Sequence, residues 1–493
     1  MSTLGEAGEA SLDAVSDPLA GATDRNRAAG RMALATVVSR GSGFVRTVTV
    51  AAVLGATYLG NTYQSTNAIP NLVFELVVAG ALQAVLVPVV VERLDRGRDD
   101  ATRAASAVLG VTTAVLGVLA IVGVLLAPWI VRGLTVGVDD PAVRDQQVAL
   151  GTFLLWCYLP QVVFYGLNLV STAMLNASGR FSLPALAPTV NNVVVVGAYL
   201  VFAWMRGGAP PSLDLSVPEA LVLGLGTTFG VVAFCIVPYI GARRAGFDLR
   251  LRWEPHHPAV ARVVRQGVWA GGYLAASQVV LVVMLVLANS IEGGVVVQQL
   301  AYALFLLPVS LLAVPVVTTA FPALTRLAGR GDWSAYRTEV ARTARLVLST
   351  SAAALVVLVA GRDLLAELVS LGNAAVATEE VARAIAGFAL GLPAFAAVLL
   401  LTRASYARGE VRSPTVVACG VAVVAAIATT ILARNAPADW RIAAIGAGHA
   451  LAQSVGALAL TGLMVRDLRR HASSASDGSG AERTGRIGSE DRS

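Results

Sequence analysis

The sequence predicts an all-α polytopic membrane protein, twelve transmembrane helices in two six-helix lobes. Three observations point there: twelve apolar stretches long enough to cross a bilayer, arginines gathered on alternate connections, and a turn motif that returns 230 residues later. With 56% hydrophobic and 14% charged residues in 493, a soluble fold would have no place to hide so much apolar surface.

Residues 1–29 are polar and rich in Ala, Gly, Asp and Glu, and are expected to form a disordered N-terminal tail. They lack the basic start and short apolar core of a cleavable signal, so the first span is expected to direct insertion. That span covers 31–57 and holds SRGSGFVR at 39–46, while the second, 63–92, is interrupted by Pro70. Spans 104–131, 146–175, 183–205 and 217–242 complete an N-lobe over 30–245. Spans 260–290, 295–324, 341–371, 380–402, 413–433 and 440–465 make up a C-lobe over 246–466. Each is about 20 residues or longer, enough for some 30 Å of hydrocarbon. Residues 467–493 turn polar and Ser/Gly-rich and are expected to be a second disordered tail.

No lysine occurs, so all 37 basic residues are arginine. Placing the N-terminus in the cytoplasm puts 28 arginines on the inside and 7 outside, all at or beyond a membrane edge, and leaves Arg40 and Arg46. The positive-inside rule therefore supports an even span count with both termini cytoplasmic. The repeat sets ASGRFSLPA (177–185) against ARGEVRSPT (407–415), at turns 4/5 and 10/11. Any short turn contains Gly and Pro, but these two occupy equivalent places in two lobes of six spans. Even-numbered lobes are parallel repeats about an axis along the membrane normal, with a cavity between them. The same shift sets Ala270 opposite Arg40 and Ala276 opposite Arg46, so the lobes differ in charge.

An arginine at a helix centre costs roughly 2.5–3.5 kcal/mol on insertion scales, so it must face protein, water or an anionic ligand. From a start near Arg31, Arg40 lies about 14 Å in and Arg46 about 22 Å in. Arg40 is able to snorkel; Arg46 is too deep. On an ideal helix the two point about 120° apart, and a kink at Gly41 and Gly43 would bring both to one ligand. Arg46 has a second reading, an ion pair with Glu75 inside the bundle. Asn67, Asn71 and Gln83 add polar groups to span 2, as Asn191, Asn192, Asn289, Gln298 and Gln299 do elsewhere. Pro70 and Pro308 are the leading hinge candidates beside the two glycines, with Pro160, Pro315, Pro322 and Pro393 also interrupting spans.

Other classes find no support. The pI follows from basic loops facing anionic lipid headgroups, and there is no nucleic-acid motif. Cys157, Cys235 and Cys419 have neither zinc nor disulfide spacing, and of four histidines only His449 is intramembrane, so no metal or cofactor is expected. No P-loop, GxSxG or HExxH is present, and no enzyme is expected. Asp363 and Glu367 lie near a span end, leaving Gln278, His449 and Gln453 as the polar groups of spans 7 and 12 with which to couple an ion.

SRGSGFVR, LGATYLGNTYQ (54–64) and PNLVFELVVAGALQAVLVP (70–88) together resemble the opening of the MurJ (MviN) family of lipid II flippases, in the MATE-like exporter superfamily. LNASGRFSLPALAPTVNN (175–192), YALFLLPVSLLAVPVVTTAFPALTRL (302–327) and ARGEVRSPT extend the resemblance across most of 30–466. It implies a MATE-like fold in the cytoplasmic membrane. It also implies alternating access around a cationic cavity that takes the diphosphate and sugar-peptide head of lipid II or a related polyprenyl-pyrophosphate lipid. Membrane lipids and cell-wall synthesis proteins are the further implied partners. Arg40 and Arg46 match the family's first-span arginines, and Pro70 with Asn71 its Pro-Asn; Arg40, Arg46, Asn67, Asn71 and Glu75 are the expected substrate-binding set. Guanidinium groups suit a diphosphate because they engage oxygen pairs bidentately.

The chain departs from the family at several points. Phe74 and Ala79 stand where an arginine and an acid are usual, Glu75 where a base is common, Ala303 near an expected arginine, and Asn61 in place of an acid. Two further spans found in the family's commonest form are absent from this sequence. A multidrug or oligosaccharide-lipid exporter, which would use Glu75, and a transport-inactive cell-wall scaffold therefore stay open as alternatives.

Overall fold

The computed structural model describes residues 18–76 and 81–487, with side chains described over 34–76, 86–263 and 278–470. Among the described residues every regular element is helical. In the first half these are α1 (Pro18–Leu54), α2 (Tyr58–Phe74), α3 (Ala81–Leu94), α4 (Arg98–Leu134), α5 (Pro141–Tyr158), α6 (Val162–Ala177), α7 (Ser182–Arg206) and α8 (Val217–Arg244). The second half has α9 (Pro258–Asn289), α10 (Gly294–Pro308), α11 (Val314–Gly329), α12 (Trp333–Ala360), α13 (Arg362–Val369), α14 (Thr378–Ala389), α15 (Leu392–Ala407), α16 (Arg412–Asn435) and α17 (Arg441–Ile487).

Each of the twelve expected spans corresponds to one helix or one broken pair. Among the described residues nine helical stretches are long and apolar enough to cross a membrane, and α14 with α15, bent by 42°, makes a tenth. The remaining two expected spans fall on α2 with α3 and on α9, whose described residues include one shorter apolar helix, Gln278–Asn289. Span 4 is α5 and α6 joined by a 3-10 turn that contains Pro160. Span 8 is α10 and α11 joined at Pro308 by a π-type turn, Val309–Ala313. Ala79 lies outside the described residues, as do the side chains of Gln83, Ala270 and Ala276.

Local sequence sets the helix starts. Pro141 and Pro258 follow capping side chains, Asp140 accepting from Ala142 N and His257 from Ala259 N, and Ser216 with Glu219 closes a capping box on α8. The two repeated turns are built alike. Gly179 and Gly409 both take left-handed φ, 73° and 76°. Arg180 N donates to Leu175 O at 2.9 Å, and its counterpart Glu410 N donates to Ser405 O at 3.0 Å.

Helices α1–α8 pack mainly on one another and α9–α17 on one another. Separate apolar cores result, one centred on α4 and α6, another on α10, α14 and α17. The start of α1 and the end of α17 lie on one face, called here the terminal face; the connections α1–α2, α4–α5, α9–α10 and α13–α14 lie on the opposite, far face. The ends differ from the expected tails: α1 begins at Pro18, ahead of residue 30, and α17 runs past 466 to Ile487. Proline opens the first, and none interrupts the second.

Candidate anion-binding cavity

Between the lobes lies a cavity of about 400 Å³. Helix α1 supplies Gly43, Arg46 and Thr47; α2 supplies Gln64, Asn67 and Asn71, with Glu75 just beyond it; α7 adds Asn192. The C-lobe wall is Gln278 from α9 and Gln298, Gln299 and Tyr302 from α10. Four of the five expected binding residues thus share one cavity.

Arg40 is the exception. It is exposed, lies outside the cavity lining, and its Nη1 donates to Ser310 Oγ at 3.1 Å across the lobe boundary. Helix α1 runs unbroken from Pro18 to Leu54, so Gly41 and Gly43 do not interrupt it, and Arg40 and Arg46 reach different surroundings. No atom presses on α1 there: a Cβ at Gly41 would meet nothing within 4 Å, and one at Gly43 only Asn192 Nδ2 at 3.6 Å. Pro70 lies within α2, which gives way to π-type turns at Glu75.

Arg46 and Glu75 line the same cavity without forming an ion pair. Among the described residues no carboxylate pairs with Arg46; the side chains flanking it are Tyr199, Tyr63 and Tyr165. These tyrosines were not legible as site residues. Tyr63 and Tyr199 hydroxyls are 2.9 Å apart, Tyr63 is 2.5 Å from Thr227 Oγ1, and Thr227 donates on to Leu223 O at 2.9 Å. A guanidinium held among neutral hydroxyls keeps its full charge for whatever enters the cavity. Gln278 and Gln298 each keep a side-chain oxygen with no hydrogen-bond partner among the described residues, so the facing wall offers acceptors. Asn67 is buried, and its backbone oxygen accepts from Asn71 Nδ2 at 2.9 Å.

The far face is sealed. Asn61, fully buried, donates through Nδ2 to Ile291 O at 2.6 Å and accepts from Val295 N at 2.9 Å. Asn289 Nδ2 donates to Leu134 O and Asn373 Nδ2 to Val53 O, each at 2.9 Å, both across the lobes. Backbones meet closely there: a Cβ at Gly293 would fall 2.5 Å from Ala56 C. On the terminal face the inter-lobe ion pair is the exposed Glu92–Arg262, at 2.6 Å. Among the described residues no cluster of His, Cys, Asp and Glu is fit to hold a metal.

Two helical lobes around a polar cavity, sealed at one end, define a membrane transporter of the MATE-like class. A multidrug resistance MATE family transporter of the MOP superfamily, inward-facing, matches with a TM-score of 0.72 at 12% identity over 88% of this chain and 95% of its own. An inward closed structure of the lipid II flippase MurJ matches equally, TM-score 0.72, at 18% identity over 89% of each chain. In sequence, the probable lipid II flippase MurJ of Rhizobium tropici is 29% identical over 77% of this chain and 70% of its own length. The family model for lipid II flippase MurJ matches residues 50–479, and the chain belongs to that family.

Proposed function

We propose that the chain carries lipid II from the inner to the outer leaflet of the cytoplasmic membrane by alternating access, with Arg46 holding the cargo's diphosphate. One observation supports this above the rest: a cation deep in a span, with no carboxylate beside it, lining a cavity between the lobes. A diphosphate supplies the charge that Arg46 lacks, and sugar hydroxyls suit the free acceptors of Gln278 and Gln298. The arginine asymmetry, 28 against 7, favours cytoplasmic termini. The sealed far face would then be the outer one, leaving the cavity to load from the inner leaflet. A volume of about 400 Å³ is that of a small-ligand site. The diphosphate fits within it, and the sugar-peptide head requires the lobes to part on the terminal face. Translocation needs no covalent step.

The test is delivery of lipid II to the outer leaflet in cells depleted of any other flippase. A charge-assisted hydrogen bond contributes about 1.5–3 kcal/mol, so Arg46→Ala should weaken lipid II binding roughly 10- to 150-fold while the protein still inserts. Undiminished delivery by Arg46→Ala would remove Arg46 from the mechanism. Undiminished delivery after depletion of the whole chain would remove the transport role.

A further inference from the structure

A chain of buried hydroxyls ends at Arg46, and its hydrogen bonds can run in only one direction. Thr227 of α8 has a single hydroxyl proton and donates it to Leu223 O, 2.9 Å away on its own helix. The Tyr63 hydroxyl of α2, 2.5 Å from Thr227 Oγ1, must therefore be the donor in that pair. With its proton spent there, Tyr63 accepts from the Tyr199 hydroxyl of α7 at 2.9 Å. Tyr199 is within hydrogen-bonding reach of Arg46 and is left with only lone pairs to offer it. A guanidinium has donors alone, so the polarity of the whole chain matches the group at its end. Tyr63, Tyr199 and Thr227 are each no more than 1% exposed, so water does not compete for these bonds.

Close packing holds the hydroxyls at these distances. Helices α7 and α8 meet through glycine: a Cβ at Gly226, next to Thr227, would fall 2.3 Å from the Cβ of Ala198, next to Tyr199. One turn on, a Cβ at Gly230 would fall 2.6 Å from Val195 Cγ2. The ring of Tyr63 meets those of Tyr199 and Tyr158 edge-on, with centroids 5.6 Å and 6.1 Å apart. Helix α7 touches α1 again one turn before Arg46, where Asn192 Nδ2 donates to Ser42 Oγ at 2.9 Å. All these contacts lie within the N-lobe, so the chain stays whole when the lobes move against each other.

We infer that Tyr199, Tyr63 and Thr227 are positioning residues that aim the Arg46 guanidinium into the central cavity. The inference rests on Arg46 as the ligand of the cargo's diphosphate and names what orients it. Tyr199 takes one N–H and leaves the remaining donors to the cavity, where an anion engages them in pairs. A neutral acceptor suits this better than a carboxylate, which would compete with the cargo for the cation. Thr227, outside the cavity lining, thus sets the orientation of a charge two hydroxyls away. An orientation formed in advance spares part of the ordering that binding otherwise requires, so its loss appears as weaker anion binding.

The first measurement uses inorganic diphosphate as the probe, titrated calorimetrically into the full-length protein in nanodiscs. Tyr199→Phe and Thr227→Val should each weaken its binding about fivefold, the scale of one hydrogen bond, and Thr227→Ser, which keeps the hydroxyl, should stay within about twofold of wild type. The second reads the guanidinium itself, by NMR of ligand-free protein with isotope-labelled arginine. The Arg46 Nε–H resonance, assigned as the signal missing in Arg46→Lys, should move in Tyr199→Phe and Thr227→Val and return to its wild-type position in Thr227→Ser. Tyr63→Phe cuts the same chain in the middle and carries the same expectation should Thr227→Val fail to insert. An Arg46 resonance unmoved by Tyr199→Phe, Tyr63→Phe and Thr227→Val overturns the inference. So does Thr227→Ser behaving like Thr227→Val, because packing rather than the hydroxyl would then be at work. Unchanged diphosphate binding in Arg46→Ala, with the resonance shifts present, would instead remove Arg46 as the cargo's ligand and leave the hydroxyl chain standing.

Discussion

Replacing Asn61 with alanine perturbs the seal of the far face at its most buried polar contact. The Asn61 amide both donates to Ile291 O and accepts from Val295 N, joining α2 to the start of α10 and the turn before it. When the far face opens, water replaces both partners, so these bonds favour only the closed state. At about 1 kcal/mol net for each hydrogen bond, their loss shifts the closed-to-open equilibrium by about 2 kcal/mol, or roughly thirty-fold. Spin labels at Val136 and Val376, exposed positions on opposite lobes at this face, report the distance between the lobes. Asn61→Ala should move population from the short-distance to the long-distance component, and Asn61→Asp should do so too, because a carboxylate accepts from Val295 N but cannot donate to Ile291 O. An unchanged distance distribution in Asn61→Ala would show that the closure is held elsewhere, and the reasoning from the hydrogen bonds would fail.

Arg40→Ala removes one exposed bond to Ser310 and no cavity group, so lipid II binding by native mass spectrometry should stay within about threefold of wild type, against the larger loss for Arg46→Ala. Equal losses for both would place Arg40 at the cargo. In the second repeated turn, the Glu410 carboxylate accepts from Ser413 N at 2.9 Å and Ser413 Oγ at 3.2 Å, and these bonds hold its pKa below the ordinary 4.5. A depressed folded pKa contributes stability that is present above the unfolded value and lost as pH falls through the folded one. Glu410→Gln should therefore lower the melting temperature at pH 7, and the gap to wild type should narrow in acid below pH 4.5; a gap independent of pH refutes the assignment.

The part of the site visible in the sequence is the part that pays an insertion cost. Arg46, Asn67, Asn71 and Glu75 are polar within apolar spans, and the structure puts all four on one cavity, where a polar group escapes that cost. Arg40 and Arg46 looked like a pair through a motif, yet whether a helix bends at a glycine pair depends on what packs against it. At Gly41 nothing does. The tyrosines around Arg46 left no trace, since Tyr63 meets Tyr199 across 136 positions and a tyrosine in a span passes for an ordinary interfacial or packing residue. The extension of α17 was likewise missed, being too polar for a hydropathy window to register.

The internal repeat bears on how the lobes move. Asn61, near the start of α2, bonds to Ile291 and Val295 around the start of α10, and α2 and α10 open the second span of each lobe. Equivalent ends of two repeats meet each other only near the axis that relates them, so this contact lies beside the pseudo-axis at the far face. A seal placed there involves short displacements when the lobes rock, whereas groups away from the axis move further for the same rotation. Two hydrogen bonds near the axis can thus be broken or made without a large rearrangement, which suits a switch worth about 2 kcal/mol. The lobes joined by that axis are unequal in chemistry. Arg46 in one is charged at every physiological pH, whereas Ala276 stands 230 positions further on in the other. A fixed charge suits holding an anionic cargo, and a duplicated fold presents it from one side of the cavity only because its two halves have diverged at this position.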